Sequence, residues 1–495
     1  MFPQSTTAEL NKIVLNADAS FYLYKKNTAA EKAIFLETIA DEIESLGDAL
    51  INQASAETNL PSARLTGERG RTCMQLRMFA AMLKEGSWLE ATIDTAIPNK
   101  VPPKPDIRKM LLPLGPVIVF GASNFPFAYS TAGGDTASAL AAGCPVIVKA
   151  HPAHAATSEL VAEAIKRSIL KCKMPEHVFQ HVHADSFEAG KTLVQHPLTA
   201  AVGFTGSYSG GKALYDYAQE RLKPIPVFSE MGSVNPVVIF PDILESNAVA
   251  LAKQCAGSIT LGMGQFCTNP GLMFAIESDA LKTFLQLLAI EIASVLPAKM
   301  LHDGIHKAYY EKLKQALDQK NVMVISQSGI TPGELQALPT IAVVDGTTFL
   351  QNTLLHEEIF GPYSLLVKCK DIGELKRAWT AVAGQLTTSL MGTEKDFEAH
   401  KDCIDIATGI AGRINFNNVP TGVEVCPSMV HGGPFPASTD PRFTAVGSNA
   451  VKRWVRPVCF QNCPAYLLPD ALKNENIQDS WRLLNNEWTK AAVTV

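Results

Sequence analysis

The chain lacks the marks of most specialised protein classes. Its ten cysteines in 495 residues form no Cys-x-x-Cys pair and no regular framework. That excludes a small disulfide-stapled fold and reads as free thiols in a reducing compartment. Charge of one sign is also scarce: 43 Lys and Arg against 48 Asp and Glu leave a net charge of −5. A nucleic acid or an anionic membrane surface is therefore not expected as a partner. The first ten residues, from Met1 to Leu10, carry no basic stretch and no apolar core, so no signal peptide is expected. The longest apolar run, Phe284 to Leu296, is broken by Gln286 and Glu291 and is too short and polar to span a bilayer. These absences together predict a cytoplasmic protein. Low-complexity segments and short repeats are missing too. So is Gly-x-Gly-x-x-Gly; its nearest imitation, Gly262-Met-Gly264-Gln-Phe-Cys267, ends in cysteine. His151 with His154, and His181 with His183, stand at metal-like spacing. Neither pair has a Cys or carboxylate at a usual interval, and no metal is expected.

What is present is a large apolar fraction, 47% hydrophobic against 18% charged, spread over a length that suits two or three domains. Residues 6–90 read mainly as helices; Ala30 to Ile43 has apolar residues at helical spacing. Residues 91–112 are rich in proline and read as extended structure, an edge strand or an excursion. From 115 a new rhythm begins. Pro116-Val-Ile-Val-Phe, Pro145-Val-Ile-Val-Lys, Val178-Phe-Gln-His-Val and Ala200-Ala-Val-Gly-Phe read as strands, with helices expected near 127–142 and 157–170. Continuous Val/Ile runs alternating with helices imply parallel strands covered on both faces, a doubly wound α/β unit. A second such unit starts at Asn235-Pro-Val-Val-Ile-Phe, continues with a helix over 243–261, and runs to about 430.

Three residues carry potential chemistry. Cys267, in Gly264-Gln-Phe-Cys-Thr268, follows a Gly-punctuated turn at the end of a helical run, which presents the thiol on a loop. Glu230 ends an apolar strand just before Met231-Gly232. Asn124 lies in Gly121-Ala-Ser-Asn-Phe-Pro126. A nucleophile, a general base and an amide donor are the minimum kit for acyl-type chemistry on a carbonyl. Each alone has a plain reading: an inert thiol, a surface or capped carboxylate, a turn residue. The strand-to-helix junction Phe204-Thr-Gly-Ser-Tyr-Ser-Gly-Gly211 suits either a pyrophosphate at a helix N-terminus or a simple Gly-rich turn. Lys149, at the carboxyl edge of a strand, suits a ribose or phosphate, or only solvent.

The ordered set Asn124-Phe-Pro126, Lys149, Phe204-Thr-Gly-Ser207, Glu230-Met-Gly232, Gly264-Gln-Phe-Cys267 and Glu357-Glu-Ile-Phe-Gly-Pro362 resembles the aldehyde dehydrogenase superfamily over nearly the whole length. Ala132-Gly-Gly-Asp135, Lys149-Ala-His-Pro-Ala-His154 and Pro420-Thr-Gly-Val-Glu-Val425 place the resemblance nearest its 2-oxoglutarate semialdehyde (2,5-dioxopentanoate) branch and fatty-aldehyde relatives. It implies two doubly wound α/β domains, a cofactor domain of residues 1–90 and 115–231 and a catalytic domain of 232–452. Residues 91–114 and 453–495 would join subunits of a homo-dimer or homo-tetramer. It also implies that Cys267 attacks the aldehyde carbon, that Asn124 and the Cys267 amide hold the oxyanion, and that Glu230 activates water against the thioester. Lys149, Phe204, Gly206, Ser207 and Gly211 would bind the dinucleotide, with Glu358 on the nicotinamide ribose and Phe360 by its ring.

NADP is the expected cofactor, with NAD as the second option, because Pro152 stands where many NAD-preferring relatives carry a Glu. Asp135 departs from the lysine that many relatives place nearby, and its role is open. The expected reaction takes 2,5-dioxopentanoate to 2-oxoglutarate. Oxidation of aliphatic or fatty aldehydes, and release of the acyl group to coenzyme A, are the alternatives; Glu230 argues against the latter. Arg71 and Arg77 share one helix as candidates for a substrate carboxylate, with surface salt bridges as the competing use.

Overall fold

A computed structural model of the chain describes residues 2–494. Four helices, Thr7–Tyr24, Ala29–Ser45, Gly47–Thr58 and Ser62–Glu85, fill the N-terminal region. The first two open on capping boxes, Thr6 with Glu9 and Thr28 with Glu31, which satisfy amides that would otherwise lack partners. The next segment builds a five-stranded parallel sheet in the order Phe179–Val182, Val146–Lys149, Val117–Phe120, Ala201–Thr205, Val227–Glu230. The central strand Val117–Phe120 is buried at every position, so its side chains pack on both faces. Those two faces belong to different cores, one holding Val117 and Val119, the other Ile118 and Phe120.

A second sheet of seven strands runs Met323–Gln327, Thr340–Asp345, Tyr363–Cys369, Leu272–Ile276, Val237–Ile239, Gln385–Met391, Ala411–Phe416. It is parallel except for the pairing of Met323–Gln327 with Thr340–Asp345. Two wound α/β sheets are thus present, as the Val/Ile runs imply. A third, small sheet joins the proline-rich segment to the C-terminal region: Ile107–Pro113 pairs with Val455–Gln461 and with Thr92–Asp94, Thr92–Asp94 with Arg482–Leu484, and Arg482–Leu484 with Glu487–Thr489. No helix among the described residues is long and apolar enough to cross a membrane.

One boundary differs from the sequence expectation in a way that shapes the site. The helix expected near 127–142 spans only Gly134–Ala142. Residues 125–133 close a tight turn instead. Glu68, inside the helix Ser62–Glu85, accepts hydrogen bonds from the amides of Phe127 (2.9 Å) and Ala128 (3.0 Å). A Cβ on Gly133 would stand 2.5 Å from the Ala128 carbonyl oxygen, so only glycine lets the turn close.

Candidate active site

The two large sheets turn their functional loops toward one another. Glu230 is the last residue of its strand, and its backbone is pinned by amides on either side: Gly206 N–H donates to the Glu230 carbonyl (3.0 Å), and Met231 N–H to that of Ala437 (2.8 Å). Cys267 follows a short 3₁₀ turn, Leu261–Gly264, in which Gly262, Met263 and Gly264 all have left-handed φ near +54 to +63°. A left-handed methionine between two such glycines is uncommon and marks a backbone held in place from outside. The holding groups are visible. A Cβ on Gly264 would stand 2.2 Å from the carbonyl oxygen of Gly361, so this loop lies flat on the Glu357–Pro362 segment. Asn269 donates to that same carbonyl (3.2 Å), and Asn235 donates to the carbonyls of Cys267 (2.8 Å) and Asn269 (2.9 Å).

These supports bring Cys267 and Glu230 together through a residue that the sequence reading does not single out. His431 Nε2 lies 3.0 Å from Glu230 Oε1 and 3.6 Å from Cys267 Sγ. His431 Nδ1 is buried without a partner. A buried unpaired donor costs more than a spare lone pair, which favours the tautomer with Nε2–H donating to Glu230. The other carboxylate oxygen, Glu230 Oε2, is also buried and unpartnered. Glu230 and His431, with Phe204 and Ser229 among others, line a cavity of about 20 Å³. That is room for a single water. The one signal for His431 in the sequence is its place before Gly432-Gly433, downstream of the Pro420–Val425 motif.

The electrostatics are those of a neutral thiol in reserve. Burial, the Glu230 carboxylate and a hydrogen bond to it push the Cys267 thiol well above its ordinary range, and Arg71 opposes them. Asn124 reaches the same loop: its side-chain amide donates to the Gln265 carbonyl (3.2 Å), and its own backbone carbonyl accepts from Arg64 (2.7 Å). Glu358 lies against Gly232, where a Cβ would stand 2.5 Å from its Oε2. The residue as a whole is partly exposed, yet its carboxyl is desolvated in that seat and pushed up to about 7, against the pull of the Ser233 backbone and Lys312.

The nucleotide features gather on the first sheet. Residues 206–209 open the helix Tyr208–Gln219 and are exposed, and Ser207 caps the Gly210 amide (3.2 Å). The Phe204 ring lies over the turn: a Cβ would stand 2.7 Å from it at Gly206 and 2.9 Å at Gly210. An exposed helix N-terminus fits a dinucleotide pyrophosphate. Gly211 plays a different part. It is buried, and a Cβ there would meet Met231 at 2.7 Å, so its smallness seats the helix against the Glu230 strand. Lys149 ends its strand partly buried, and desolvation lowers its ammonium while Asp185 opposes the shift. Phe360 is partly buried in the segment that supports the Cys267 loop.

Folding also supplies what the histidine spacing lacks. Glu159 reaches both His181 Nδ1 (3.1 Å) and His183 Nε2 (2.8 Å), a carboxylate partner that no sequence interval reveals. Asp135 is paired with Arg453 (2.8 Å), both buried. Of the two candidate arginines, Arg77 faces outward to Asp41 (2.7 Å) and Glu44 (2.6 Å), whereas Arg71 faces inward over the Tyr129 ring at 5.7 Å.

Two wound sheets with a nucleotide-type turn on one, and a half-buried thiol carried by the other, define an α/β enzyme of cofactor-linked thiol chemistry. Comparison with known proteins agrees. The chain belongs to the aldehyde dehydrogenase family, whose model matches residues 1–434. It is 46% identical over 477 residues to alpha-ketoglutaric semialdehyde dehydrogenase 2 of Azospirillum brasilense, covering 96% of this chain and 91% of that one. It is 43% identical over 493 residues to alpha-ketoglutaric semialdehyde dehydrogenase of Acinetobacter baylyi, covering 99% and 93%. Among solved structures, glyceraldehyde-3-phosphate dehydrogenase GapN of Methanocaldococcus jannaschii, complexed with NADP, shares the fold at a TM-score of 0.79 and 18% identity, covering 93% of this chain and 95% of that one. The protein is an oxidoreductase that acts on aldehydes with NAD(P).

Proposed function

We propose that the enzyme oxidises 2,5-dioxopentanoate to 2-oxoglutarate through a thioester on Cys267. The observation that carries the mechanism is the contact line Cys267–His431–Glu230, with the second Glu230 oxygen buried and unpartnered. The substrate follows from the two full-length relatives at 46% and 43% identity, both named for this semialdehyde. The thiol releases its proton to solvent water, so the Glu230 carboxylate stays unprotonated for the later step. Sulfur bonds to the aldehyde carbon, and the Asn124 amide with the Cys267 backbone N–H holds the oxyanion; one such donor is typically worth about 3–4 kcal/mol. NAD(P), when bound, supplies the hydride acceptor. Loss of hydride from the carbon leaves the thioester. Glu230 then removes a proton from water as it adds to the thioester carbon, and the acid and the free thiol are regenerated.

Single-turnover kinetics test these roles. Cys267→Ala should abolish aldehyde oxidation. Glu230→Gln should give one burst of reduced cofactor and then slow turnover. Normal steady turnover of the Gln variant would show that another group activates water, and a need for coenzyme A would replace hydrolysis by acyl transfer.

NADP is our proposed cofactor. Lys149 attracts a 2′-phosphate, and Pro152 brings no carboxylate against it. An NADP complex is known for the GapN neighbour. Asp185, exposed and close enough to act on Lys149, partly offsets that attraction. Asp185→Asn should therefore raise the ratio of kcat/KM for NADP over NAD by about 3- to 10-fold, as loss of a screened surface repulsion predicts. A ratio that falls or stays fixed would remove Asp185 from the cofactor site. We also propose that the small sheet built from residues 92–113 and 455–489 joins subunits of a homo-oligomer.

A further inference from the structure

We infer that Arg71 is the anchor for the substrate's carboxylate, and so the residue that makes this enzyme select short aldehydes with an acidic far end. The inference rests on the semialdehyde reading above and deepens it. Arg64, Glu68, Arg71 and Gln75 lie at intervals of four, three and four on the helix Ser62–Glu85, which places them along one face. The first two are committed. Arg64 holds the Asn124 carbonyl and lies between the rings of Phe125 and Phe266, 5.1 and 4.8 Å from its guanidinium carbon. Glu68 holds the turn that follows Asn124.

Arg71 is not committed. Its Nε and Nη2 are both buried, and neither has a hydrogen-bond partner. Nε and Nη2 are the two donors on one edge of the guanidinium, whose N–H bonds run parallel and match the two oxygens of a carboxylate. A guanidinium cannot shed its charge at working pH, so leaving that edge buried and unpaired is costly. The guanidinium is close enough to the site to act on the Cys267 thiol. The guanidinium stands over Tyr129, whose ring centre is 6.1 Å from that of His431, and His431 touches Cys267.

The second arginine near the thiol offers less. Arg413 spends both its Nη groups on the carbonyls of Gly422 and Pro420, which fastens the 420–422 loop, and has only Nε unpartnered. One donor cannot form a two-point clamp. A short semialdehyde with its aldehyde on Cys267 and its carboxylate on the Arg71 edge would lie across Tyr129.

The test compares two aldehydes of similar length, succinate semialdehyde and butanal, on the wild type, Arg71→Gln and Arg71→Lys with saturating NADP. For the wild type, kcat/KM should be much higher with succinate semialdehyde. Arg71→Gln should lower kcat/KM for it by about 10- to 100-fold, chiefly through KM, as loss of a charge-assisted contact predicts. Butanal oxidation should change less than about 3-fold, which also reports that the variant is folded. Lysine should restore part of the loss as a single-point charge. In a separate readout, glutarate should slow iodoacetamide labelling of Cys267 in the wild type and not in Arg71→Gln. Equal losses on both aldehydes, or equal protection by glutarate, would overturn the role of Arg71 and leave the substrate reading standing. A wild type without preference for the acidic aldehyde would overturn both.

Discussion

At the scale of single residues, the proposed chemistry turns on the protonation of one thiol. Burial and the Glu230 carboxylate hold the Cys267 thiol above its ordinary range. The sign is simple: a raised value means that reactivity toward iodoacetamide climbs only at high pH. In the cofactor-free enzyme the midpoint should lie above the roughly 8.5 of a free cysteine. Glu230→Gln removes a repelling charge and should move that midpoint down; an unmoved or raised midpoint would contradict the assignment. His431 should act differently. It positions Glu230, so His431→Gln should slow thioester hydrolysis more than thioester formation, and a burst should appear. The loss should be a fraction of the ~10²–10⁴-fold that a general base supplies. Steady turnover without a burst would make His431 a packing residue. Cys267, Glu230 and Asn124 were legible because each sits in a local motif. His431 was not, since its meaning comes from atoms 164 and 201 residues away. Arg71 and Arg77 were half legible. Six residues of helix turn the chain far from one face to another, so the two could not share a ligand, but only the fold shows which one faces inward.

At the scale of elements, a buried ion pair fixes the helix beneath the site. Asp135, in the first turn of Gly134–Ala142, binds Arg453 of the 3₁₀ segment Ser448–Trp454 at 2.8 Å. Ser138, one turn on, accepts from the Trp454 indole N–H (2.8 Å). A Cβ on Gly203 of the central sheet would stand 2.8 Å from Asp135 Oδ2, so the carboxylate also lies close against a strand. Removing one partner should hurt far more than removing both. Asp135→Ala should destabilise by about 3–5 kcal/mol, because Arg453 is left charged in the interior. Asp135→Leu with Arg453→Met should recover much of that. Urea unfolding midpoints check the order; a single variant as stable as the wild type would show that the pair is not what holds the helix. The strands were readable from Val/Ile runs alone. The late start of this helix was not, because Glu68, from a distant helix, captures the amides that would have continued it backwards.

At the scale of the whole molecule, the small third sheet is the least finished part of the fold. Its strand Val455–Gln461 pairs with Ile107–Pro113 on one side and lies at the end of the strand order. Seven residues of edge, largely exposed, are a ready template for another strand. Around the same sheet, apolar side chains remain in the open: Tyr466 is 82% exposed, Leu467 60% and Trp488 61%. Scattered single residues of this kind are ordinary on a surface, but a free edge flanked by them is a poor end for a soluble monomer. The sequence pointed to this region only through its prolines and through resemblance, since strands of three to seven residues with mixed polarity carry little periodic signal. If the sheet joins subunits, light scattering after size exclusion should show more than one copy at micromolar concentration. Leu467→Asp with Trp488→Lys should shift the mass toward one copy. Catalysis gives the sharper half of the test. The contact line from Glu230 to Cys267 lies within one chain, so a dissociated variant that keeps folding should keep its steady turnover with aldehyde and NADP. A wild type of one-copy mass would end the proposal for this sheet, and a dissociated variant without turnover would mean that assembly, rather than the single chain, holds the site in shape.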